Sequence, residues 1–547
     1  MRMACFAAFR TALCVLFLSA AARAETALPQ GYAQAIEQAV QAGAYPAVGV
    51  GWIDGADRDT WFFGSANADS VFEIGAVTEI FSGLLLAQAA YEGKVRLQTP
   101  LRELLAADFA FADPAAGAIT LEALATHHAG LPPVPPNLMP LNAEDPYADY
   151  AEPALRAFLA NYRGIASAPD YAYSTLDAGL LGYLLGRAYA ANYPKLLNDK
   201  VLVPLGMKHS GFDDSPALLG GHARGETAAF WHFGVLAGSA GMRSRVDDLL
   251  DFLQLNLRPG DSPLRAALLL ARQPRARTRT EELGLGWNIH EVGTGEQAWP
   301  LVWRASSTAG FSTFIGFRTD RQQGLVLLAN ADAGLSSLGM ALLQGDSPPP
   351  PPPARAPAPT SAQLDAYPGL YQVRSGTEII VRRRDDNLSA QLGGQPAALL
   401  HADGDDVFDA GASGFGISFQ REAGRVTNLL LNRDGMHFLA ERLSARAPHV
   451  ERVRIAVDAN ASNDLVGDYR LDADTLARIG IHRGVLSLQV TGRMAIPLQA
   501  FAKDRFACDD DSCELSFKRD AEDRVASVRI DFAGTERDAP QVHWIAP

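Results

Sequence analysis

The sequence of 547 residues is too long for a single hydrophobic core, so its length predicts between two and four domains. Hydrophobic residues make up 48% of the chain, which is typical of a globular protein rather than a disordered one. The formal net charge of -14 argues against nucleic acids and anionic membrane surfaces as partners. It leaves room for a small zwitterionic or peptide ligand.

Residues 1–24 have the pattern of a secretory signal peptide. Arg2 and Arg10 supply a basic start, a short apolar run follows, and Ala22-Arg23-Ala24 matches an A-x-A cleavage site. The apolar run is shorter than the roughly 20 residues that a membrane-spanning helix needs, and no later segment is a better candidate. We therefore expect a periplasmic or secreted protein, cleaved near Ala24, with no membrane span.

The region after the signal mixes strands and helices. The predicted elements, in chain order, are strands at 47–53 and 61–66, buried helices at 77–91, 176–191 and 246–257, and strands at 311–317 and 325–330. A strand pair, a long helical middle and then strands again predict one antiparallel sheet. Its first and last strands would come from opposite ends of the domain.

A proline run divides the chain. Six prolines at 348–353 cannot join a helix or sheet interior, and they predict a stiff polyproline spacer. The predicted boundaries are a signal peptide at 1–24, a mixed α and β domain at 25–345, a Pro-rich linker at 346–361, and β domains at 362–445 and 460–547.

The two C-terminal domains form an internal repeat with an offset of 98 positions. The matching pairs include Gly369 and Gly467, Tyr371 and Tyr469, Leu388 and Leu486, Phe408 and Phe506, and Arg421 and Arg519. Both copies alternate apolar and polar residues, which predicts two small all-β units, each a meander or barrel of six to eight short strands. Neither copy contains a recognisable set of catalytic side chains, so we interpret them as support or docking modules.

Two cysteines remain after the predicted cleavage. Cys508 and Cys513 flank a turn-like tetrad at 509–512, and an exported compartment permits a disulfide that pins this hairpin tip. Free thiols are the alternative. No histidine or further cysteine lies nearby, and we predict no metal site and no cofactor.

Several segments of the N-terminal domain match one family in the right order. They are 72–79 (FEIGAVTE), 120–132 (TLEALATHHAGLP), 173–175 (YST), 203–207 (VPLGM), 240–244 (AGMRS) and 284–287 (GLGW). With these motifs the chain resembles the serine β-lactamase/penicillin-binding-protein-like family, the class C β-lactamase-related serine hydrolases. The resemblance implies an α+β fold, with an antiparallel sheet flanked by helices and an all-helical part. The C-terminal repeats resemble the lipocalin-like modules appended to many relatives.

The resemblance also implies where catalytic residues should stand. The family uses a serine at the start of a buried helix to form an acyl-enzyme, and a lysine one helical turn later. Ala76 stands at the serine position and Glu79 at the lysine position, whereas the tyrosine of the second motif is retained as Tyr173. Ala76 has no heteroatom and cannot be acylated.

The remaining motif positions differ as well. Thr175 stands at the asparagine position, and Arg304 and Ser306 stand where the third motif has its histidine or lysine and its glycine. Arg304 is too basic to titrate near neutral pH. No other register supplies the missing motif, because none of the lysines follows a serine by three positions. These lysines are Lys94, Lys195, Lys200, Lys208, Lys503 and Lys518.

Electrostatics predicts how this altered cleft is arranged. A buried carboxylate needs a partner, so we expect Glu79 to pair with Arg304, with Tyr173 as a third member. Glu79 near Tyr173 would raise the phenol pKa rather than favour a phenolate base. The alternative is that both charged side chains point to solvent. The candidate ligand-binding residues are Glu79, Tyr173, Thr175, Arg304, Ser306 and Ser307.

Two functional classes follow. The leading hypothesis is a pseudoenzyme that binds a peptidoglycan-derived peptide, a β-lactam-like ligand or a protein partner. The alternative is a residual hydrolase of amides or esters that uses Glu79 as general base. A third hypothesis, a lipophilic binding role for the β repeats, has no sequence feature behind it beyond their existence.

Overall fold

The computed structural model describes residues 28–543 apart from several gaps. The gaps lie at 106–108, 143, 164–169, 224–225, 351–358, 375, 385–386, 394, 396, 405, 411–414, 434–435, 446, 448–458, 483 and 533–534. The predicted signal peptide and part of the predicted proline linker therefore lie outside the described residues.

Helices dominate the middle of the N-terminal domain. They are α1 (Tyr32–Gln41), α2 (Thr78–Tyr91), α3 (Leu101–Leu104), α4 (Leu121–Ala125), α5 (Glu152–Asn161), α6 (Thr175–Ala188), α7 (Tyr193–Leu197), α8 (Val203–Leu205), α9 (Ala237–Ala240), α10 (Val246–Leu257), α11 (Arg265–Ala271) and α12 (Ser336–Gln344). A short helix, α13 (Ser361–Leu364), precedes the first C-terminal domain.

The strands of this domain form one large sheet and two small pairs. They are β1 (Ala47–Asp54), β2 (Asp57–Gly64), β3 (Phe72–Glu73), β4 (Gly221–Ala223), β5 (Glu226–Ala228), β6 (Arg243–Ser244), β7 (Ala276–Arg277), β8 (Glu282–Leu283), β9 (Asn288–Val292), β10 (Trp299–Ser307), β11 (Ser312–Arg318) and β12 (Gln323–Ala329). The large sheet has the order β2-β1-β12-β11-β10-β9-β8-β7. Because β1 pairs with β12, the predicted sheet with strands from opposite ends of the domain is confirmed.

The sheet separates two apolar layers. One face packs against α1 and α12, and the other face packs against α10 and the helical part of the domain. Helix α2 lies in the centre of that second layer. It is rich in alanine and leucine, contains no proline, and buries most of its residues on every side, as expected for a central helix.

Most predicted elements agree with the observed ones to within two residues, and two differ by three or more residues at one end. Helix α6 ends at Ala188 rather than at 191, because Ala190 adopts a left-handed φ of 51° and the Ala191 amide closes the turn onto Gly186. Strand β2 begins at Asp57 rather than at 61, because a tight turn at Gly55 pairs Asp54 directly with Asp57.

The C-terminal part consists of two closed eight-stranded barrels, so the predicted repeat of small β units is confirmed. The first contains β13 (Gly369–Val373), β14 (Glu378–Arg384), β15 (Asn387–Leu392), β16 (Ala398–Gly404), β17 (Val407–Asp409), β18 (Phe415–Glu422), β19 (Arg425–Arg433) and β20 (Met436–Ser444). The second contains β21 (Gly467–Arg470), β22 (Leu476–His482), β23 (Val485–Val490), β24 (Ile496–Ala502), β25 (Arg505–Cys508), β26 (Glu514–Arg519), β27 (Val525–Phe532) and β28 (Thr535–Val542).

Repeated residues have the same role in both barrels. The Tyr371 hydroxyl donates to the Tyr367 carbonyl at 2.7 Å, and the Tyr469 hydroxyl donates to the Leu465 carbonyl at 2.8 Å. Aromatic and aliphatic side chains fill both interiors. A small cavity of about 20 Å³ is lined by residues of the second barrel, such as Leu488 and Phe532, together with Ala397 of the first barrel region.

A disulfide joins Cys508 to Cys513 across the turn between β25 and β26, as the sequence predicts. This turn contacts the first barrel, since Gln391 Nε2 donates to the Ser512 carbonyl at 2.8 Å. The second barrel in turn contacts the N-terminal domain, where Gln489 Nε2 donates to the Pro140 carbonyl at 3.0 Å. The barrels are therefore packed against the rest of the chain.

No helix in the described part of the chain combines the length and the apolar character that crossing a membrane would require.

Candidate functional site

The candidate site lies where α2 begins, beneath strand β10. Ala76 sits in a 3-10 turn at 75–77 and is only 9% exposed. Its amide donates to Ser306 Oγ at 2.7 Å, so this N–H is occupied by the protein's own hydroxyl. Gly75 makes the close approach possible, because a Cβ at its φ of 52° would lie 2.3 Å from Ser306 Oγ.

Glu79, one turn further along α2, is the centre of a buried hydrogen-bonded network. Its side chain is 3% exposed. Oε2 contacts Arg304 Nη2 in a direct ion pair, so the pairing that the sequence predicts is present. Oε1 accepts a hydrogen bond of 2.9 Å from the Tyr173 hydroxyl.

His127 is the fourth member of this network. Its Nε2 lies 3.1 Å from Glu79 Oε2, and its Nδ1 accepts the Ser174 backbone N–H at 3.3 Å. Because a backbone N–H can only donate, Nδ1 carries no proton, and the ring proton lies on Nε2, where it donates to Glu79. His127 also has a left-handed φ of 56°, which is uncommon outside glycine and accompanies its fixed position.

The charges of the network reinforce one another. Burial raises the pKa of the Glu79 carboxyl, but the Arg304 charge and the hydrogen bonds from His127 and Tyr173 outweigh it, so this pKa lies below its usual value. Burial and the Glu79 charge hold the pKa of the Tyr173 phenol well above its usual value, although Arg304 opposes them. Glu79 is therefore an anion and Tyr173 a neutral donor at neutral pH.

A second carboxylate supports Arg304 from the other side. Arg304 Nη1 donates to Asn288 Oδ1 at 3.2 Å, and Asn288 Nδ2 donates to Glu281 Oε2 at 2.7 Å. Trp303 Nε1 donates to the other Glu281 oxygen at 3.2 Å. This chain of contacts fixes the guanidinium between two acidic groups, which suits a residue only 6% exposed.

The other candidate residues lie around this network. Tyr173 is 42% exposed, and its ring lies 5.6 Å from the Arg304 guanidinium carbon, so it forms the solvent side of the site. Ser307 is exposed and contacts Ser312 Oγ at 3.3 Å. Thr175 is half-buried at the first turn of α6. Ser306 is half-buried, and its hydroxyl accepts a hydrogen bond from the Ala76 amide.

Other hydroxyl and imidazole groups have structural roles. Ser82 is fully buried between Tyr193 and the Gly238 carbonyl, and Ser174 caps α6. His209 contacts Asp248 away from the network. The Ser82 and Ser174 hydroxyls donate to backbone carbonyls, those of Gly238 and Pro132. No group of three or more His, Cys, Asp or Glu side chains in the described part of the chain is placed to hold a metal ion.

Sequence reasoning missed the roles of His127 and Asn288. His127 lies in the segment 120–132, which we interpreted only as one of the motifs shared with the family. The sequence did contain a signal for this role, because an imidazole in a cleft motif can donate a hydrogen bond to a buried carboxylate such as that of Glu79. Asn288 gave no signal, because it reaches Arg304 from the neighbouring strand only after the sheet has formed.

A comparison with protein families gives one match, to the model described as Beta-lactamase, over residues 32–407. The match begins with α1 and extends across the proline-rich segment to the start of β17. It therefore covers the whole N-terminal domain and part of the first barrel.

Individual relatives show the same likeness at low identity. The chain is 25% identical over 312 residues to a β-lactamase of Pseudomonas fluorescens, covering 49% of this chain and 84% of that protein. It is 25% identical over 280 residues to the D-alanyl-D-alanine-carboxypeptidase/endopeptidase AmpH of Escherichia coli (strain K12), covering 47% and 70%. Among solved structures, a class C β-lactamase from Rhodobacter sphaeroides is 22% identical, with 55% and 94% covered and a TM-score of 0.49.

Proposed function

Since the chain belongs to the Beta-lactamase family, with its serine-hydrolase fold, we propose that it is a member that binds ligands without acyl transfer. The observation that carries this proposal is the pair of residues at the start of α2. Ala76 offers a methyl group where the resemblance places the nucleophile, and Glu79 offers an anion where it places a lysine. A single loss could be compensated. Here both the nucleophile and the cation that would activate it are missing, so acyl transfer loses its two essential groups.

The hydrogen bonds around Ala76 support the same proposal. An acyl-transfer site needs a free backbone donor for the oxygen that becomes negative. Here the Ala76 N–H already donates to Ser306 Oγ at 2.7 Å. A bound carbonyl would have to displace a hydroxyl that is held on a strand.

The alternative, hydrolysis with Glu79 as general base, has less support. A base needs a pKa near the working pH and access to water. The Glu79 pKa is lowered, mainly because Arg304 and the hydrogen bonds of His127 and Tyr173 outweigh the effect of burial. Its carboxylate is 3% exposed and accepts from three side chains. We expect no turnover of nitrocefin or of a p-nitrophenyl ester, and turnover that Glu79→Gln abolishes would favour the hydrolase instead.

The ligand we propose for this site is a peptidoglycan-derived peptide or a β-lactam-like amide, with a protein partner as the other candidate. Tyr173 exposes 42% of its surface beside Arg304, and Ser307 adds an exposed hydroxyl. These two residues would contact the ligand, whereas Arg304 is paired with Glu79 and stays buried. The buried network would position these groups rather than react.

A fluorescent penicillin separates binding from acylation. We expect a rise in fluorescence polarisation that unlabelled penicillin competes away, and no dye on the chain after a denaturing gel. Dye that stays on the denatured chain would show acyl transfer and overturn the proposal. Ala76→Ser is the matched control, and it should also remain unlabelled because Glu79 still replaces the lysine. An active class C β-lactamase serves as the positive control for labelling.

Export is part of the same proposal. It rests on the signal-like pattern at 1–24 and agrees with a disulfide between Cys508 and Cys513, since disulfides persist in oxidising compartments. Mass spectrometry of the protein recovered from the periplasm should give an N-terminus at Glu25. A full-length chain retained in the cytoplasm would contradict export.

A further inference from the structure

A cavity of about 520 Å³ lies at the edge of the large sheet, and of the residues around Glu79 and Arg304 described above its lining includes Glu281 alone. Its floor is one face of β8 to β11. The strand register places Glu282 opposite Ile289, Ile289 opposite Val302, and Val302 opposite Phe317. These side chains therefore form a row across four strands, apolar except at its outer end.

The wall of the cavity comes from the segment that follows α11. Arg272 lies there, half-buried, with its guanidinium carbon 6.0 Å from the centre of the Phe317 ring. Its Nη1 donates to the Asn256 carbonyl at 2.6 Å. Within the part of the chain that the structure describes, Arg272 has no ion-pair partner, so a half-buried cation faces an apolar floor without a counter-ion.

The opposite rim is acidic. Glu291, on β9, lies two residues beyond Ile289 and therefore on the same face of the sheet. Neither Glu291 nor Glu282 forms an ion pair with another described residue. The cavity lining thus combines Arg272 with Glu291 around an apolar floor of Ile289, Val302 and Phe317, and at its outer end Arg277 lies opposite Glu282.

We propose that this cavity binds a small zwitterion with apolar side chains, of the kind that a short peptide provides. The ligand carboxylate pairs with Arg272, its ammonium group pairs with Glu291, and its side chains cover Val302 and Phe317. The volume lies within the range of small-molecule sites, and each charge of the ligand meets a charge that the protein leaves unpaired. This site is separate from Tyr173 and Glu79.

Three dipeptide probes test the proposal by calorimetry on the full chain at pH 7. They are L-leucyl-L-leucine, its N-acetyl derivative without the ammonium group, and its C-terminal amide without the carboxylate. We expect the free dipeptide to bind and each capped form to bind about tenfold or more weakly, because each loses one charged contact. No measurable binding of the free dipeptide at millimolar concentration would overturn the proposal.

Variants locate the binding. Arg272→Gln should remove the difference between the free dipeptide and the amide, and Glu291→Gln should remove the difference between the free dipeptide and the N-acetyl form. Arg58→Gln, at an exposed ion pair of the same domain, should change neither. Weaker binding in Tyr173→Phe, with no effect of Arg272→Gln or Glu291→Gln, would place the peptide at the Glu79 network and overturn the proposal.

Discussion

The N-terminal domain and the two barrels bury different kinds of side chain. The domain places Glu79, Arg304 and His127 in its interior, each almost fully covered. The barrels fill theirs with aromatic and aliphatic residues, and their repeated ion pairs, Arg421 with Asp406 and Arg519 with Asp504, stay at partly exposed positions. Both kinds of interior occur in a folded domain, but they differ in the desolvation free energy that burial requires.

Burying an ion pair is costly, because desolvation offsets most of the attraction between the charges. An apolar interior has no such cost. The contrast therefore indicates that the charges around Glu79, taken together, add little net stability to the fold, whereas the loss of one of them is costly. They make the N-terminal domain sensitive to the loss of a single buried partner, whereas the apolar interiors of the barrels should be sensitive mainly to loss of volume.

The largest effect should come from removing one charge. Arg304→Met leaves Glu79 buried without its cation, so we expect the free energy of unfolding to fall by about 4 kcal/mol. Six of the seven tryptophans lie between residues 52 and 303, so tryptophan fluorescence in urea reports mainly on this domain. Arg58→Met, at an exposed pair with Asp251, is the control and should cost less than about 1 kcal/mol. Equal losses in the two variants would contradict the comparison.

A loss of volume should have the next largest effect. Phe408→Ala and Phe506→Ala remove equivalent buried rings from the two barrels, and each should destabilise its own barrel by about 3 kcal/mol. Calorimetry should show the affected transition shifting while the tryptophan signal of the N-terminal domain does not change. A loss below about 1 kcal/mol in either variant would mean that the interior is loosely packed.

Acidification should distinguish the two kinds of interior. The Glu79 pKa is lowered in the folded protein, mainly because Arg304 outweighs the effect of burial, so its stabilising contribution is present above the unfolded value of about 4.3. That contribution is lost as the pH falls below this value. Glu79→Gln should therefore flatten the pH dependence of unfolding below about pH 4, by at most about 1.4 kcal/mol per pH unit. Parallel curves for the two proteins between pH 3 and 6 would show that Glu79 is not held as an anion.

The contact between the second barrel and the N-terminal domain should give the smallest effect. Gln489→Ala removes the hydrogen bond to the Pro140 carbonyl, which is worth about 1 kcal/mol or less. The neighbouring Gly492 amide donates to the Leu138 carbonyl, and its hydrogen exchange should become a few times faster. Gln391→Ala, in the first barrel, is the matched control and should leave Gly492 unchanged.

Periodicity predicted the helix at 246–257 to the residue, and the offset of 98 positions predicted two small all-β units, which the structure shows to be barrels. These features are local or repeated, so the sequence carries them directly. The ion pair between Glu79 and Arg304 was predictable because a buried charge requires a partner. The hydrogen bond of Ser306 to the Ala76 amide was not, because it depends on how closely β10 approaches α2 at Gly75. The cavity beside Arg272 was missed for the same reason.

Gln391 and Gln489 occupy equivalent positions in the two barrels, and each donates to a backbone carbonyl outside its own barrel. Gln391 donates to Ser512 of the second barrel, and Gln489 donates to Pro140 of the N-terminal domain. Each amide nitrogen also donates to the backbone four residues ahead, to Gln395 and to Arg493. When such a module is copied, the copy carries its own means of attachment and needs only an exposed carbonyl to accept it. A chain of this kind can gain a further barrel by duplication without evolving a new domain interface for each added copy.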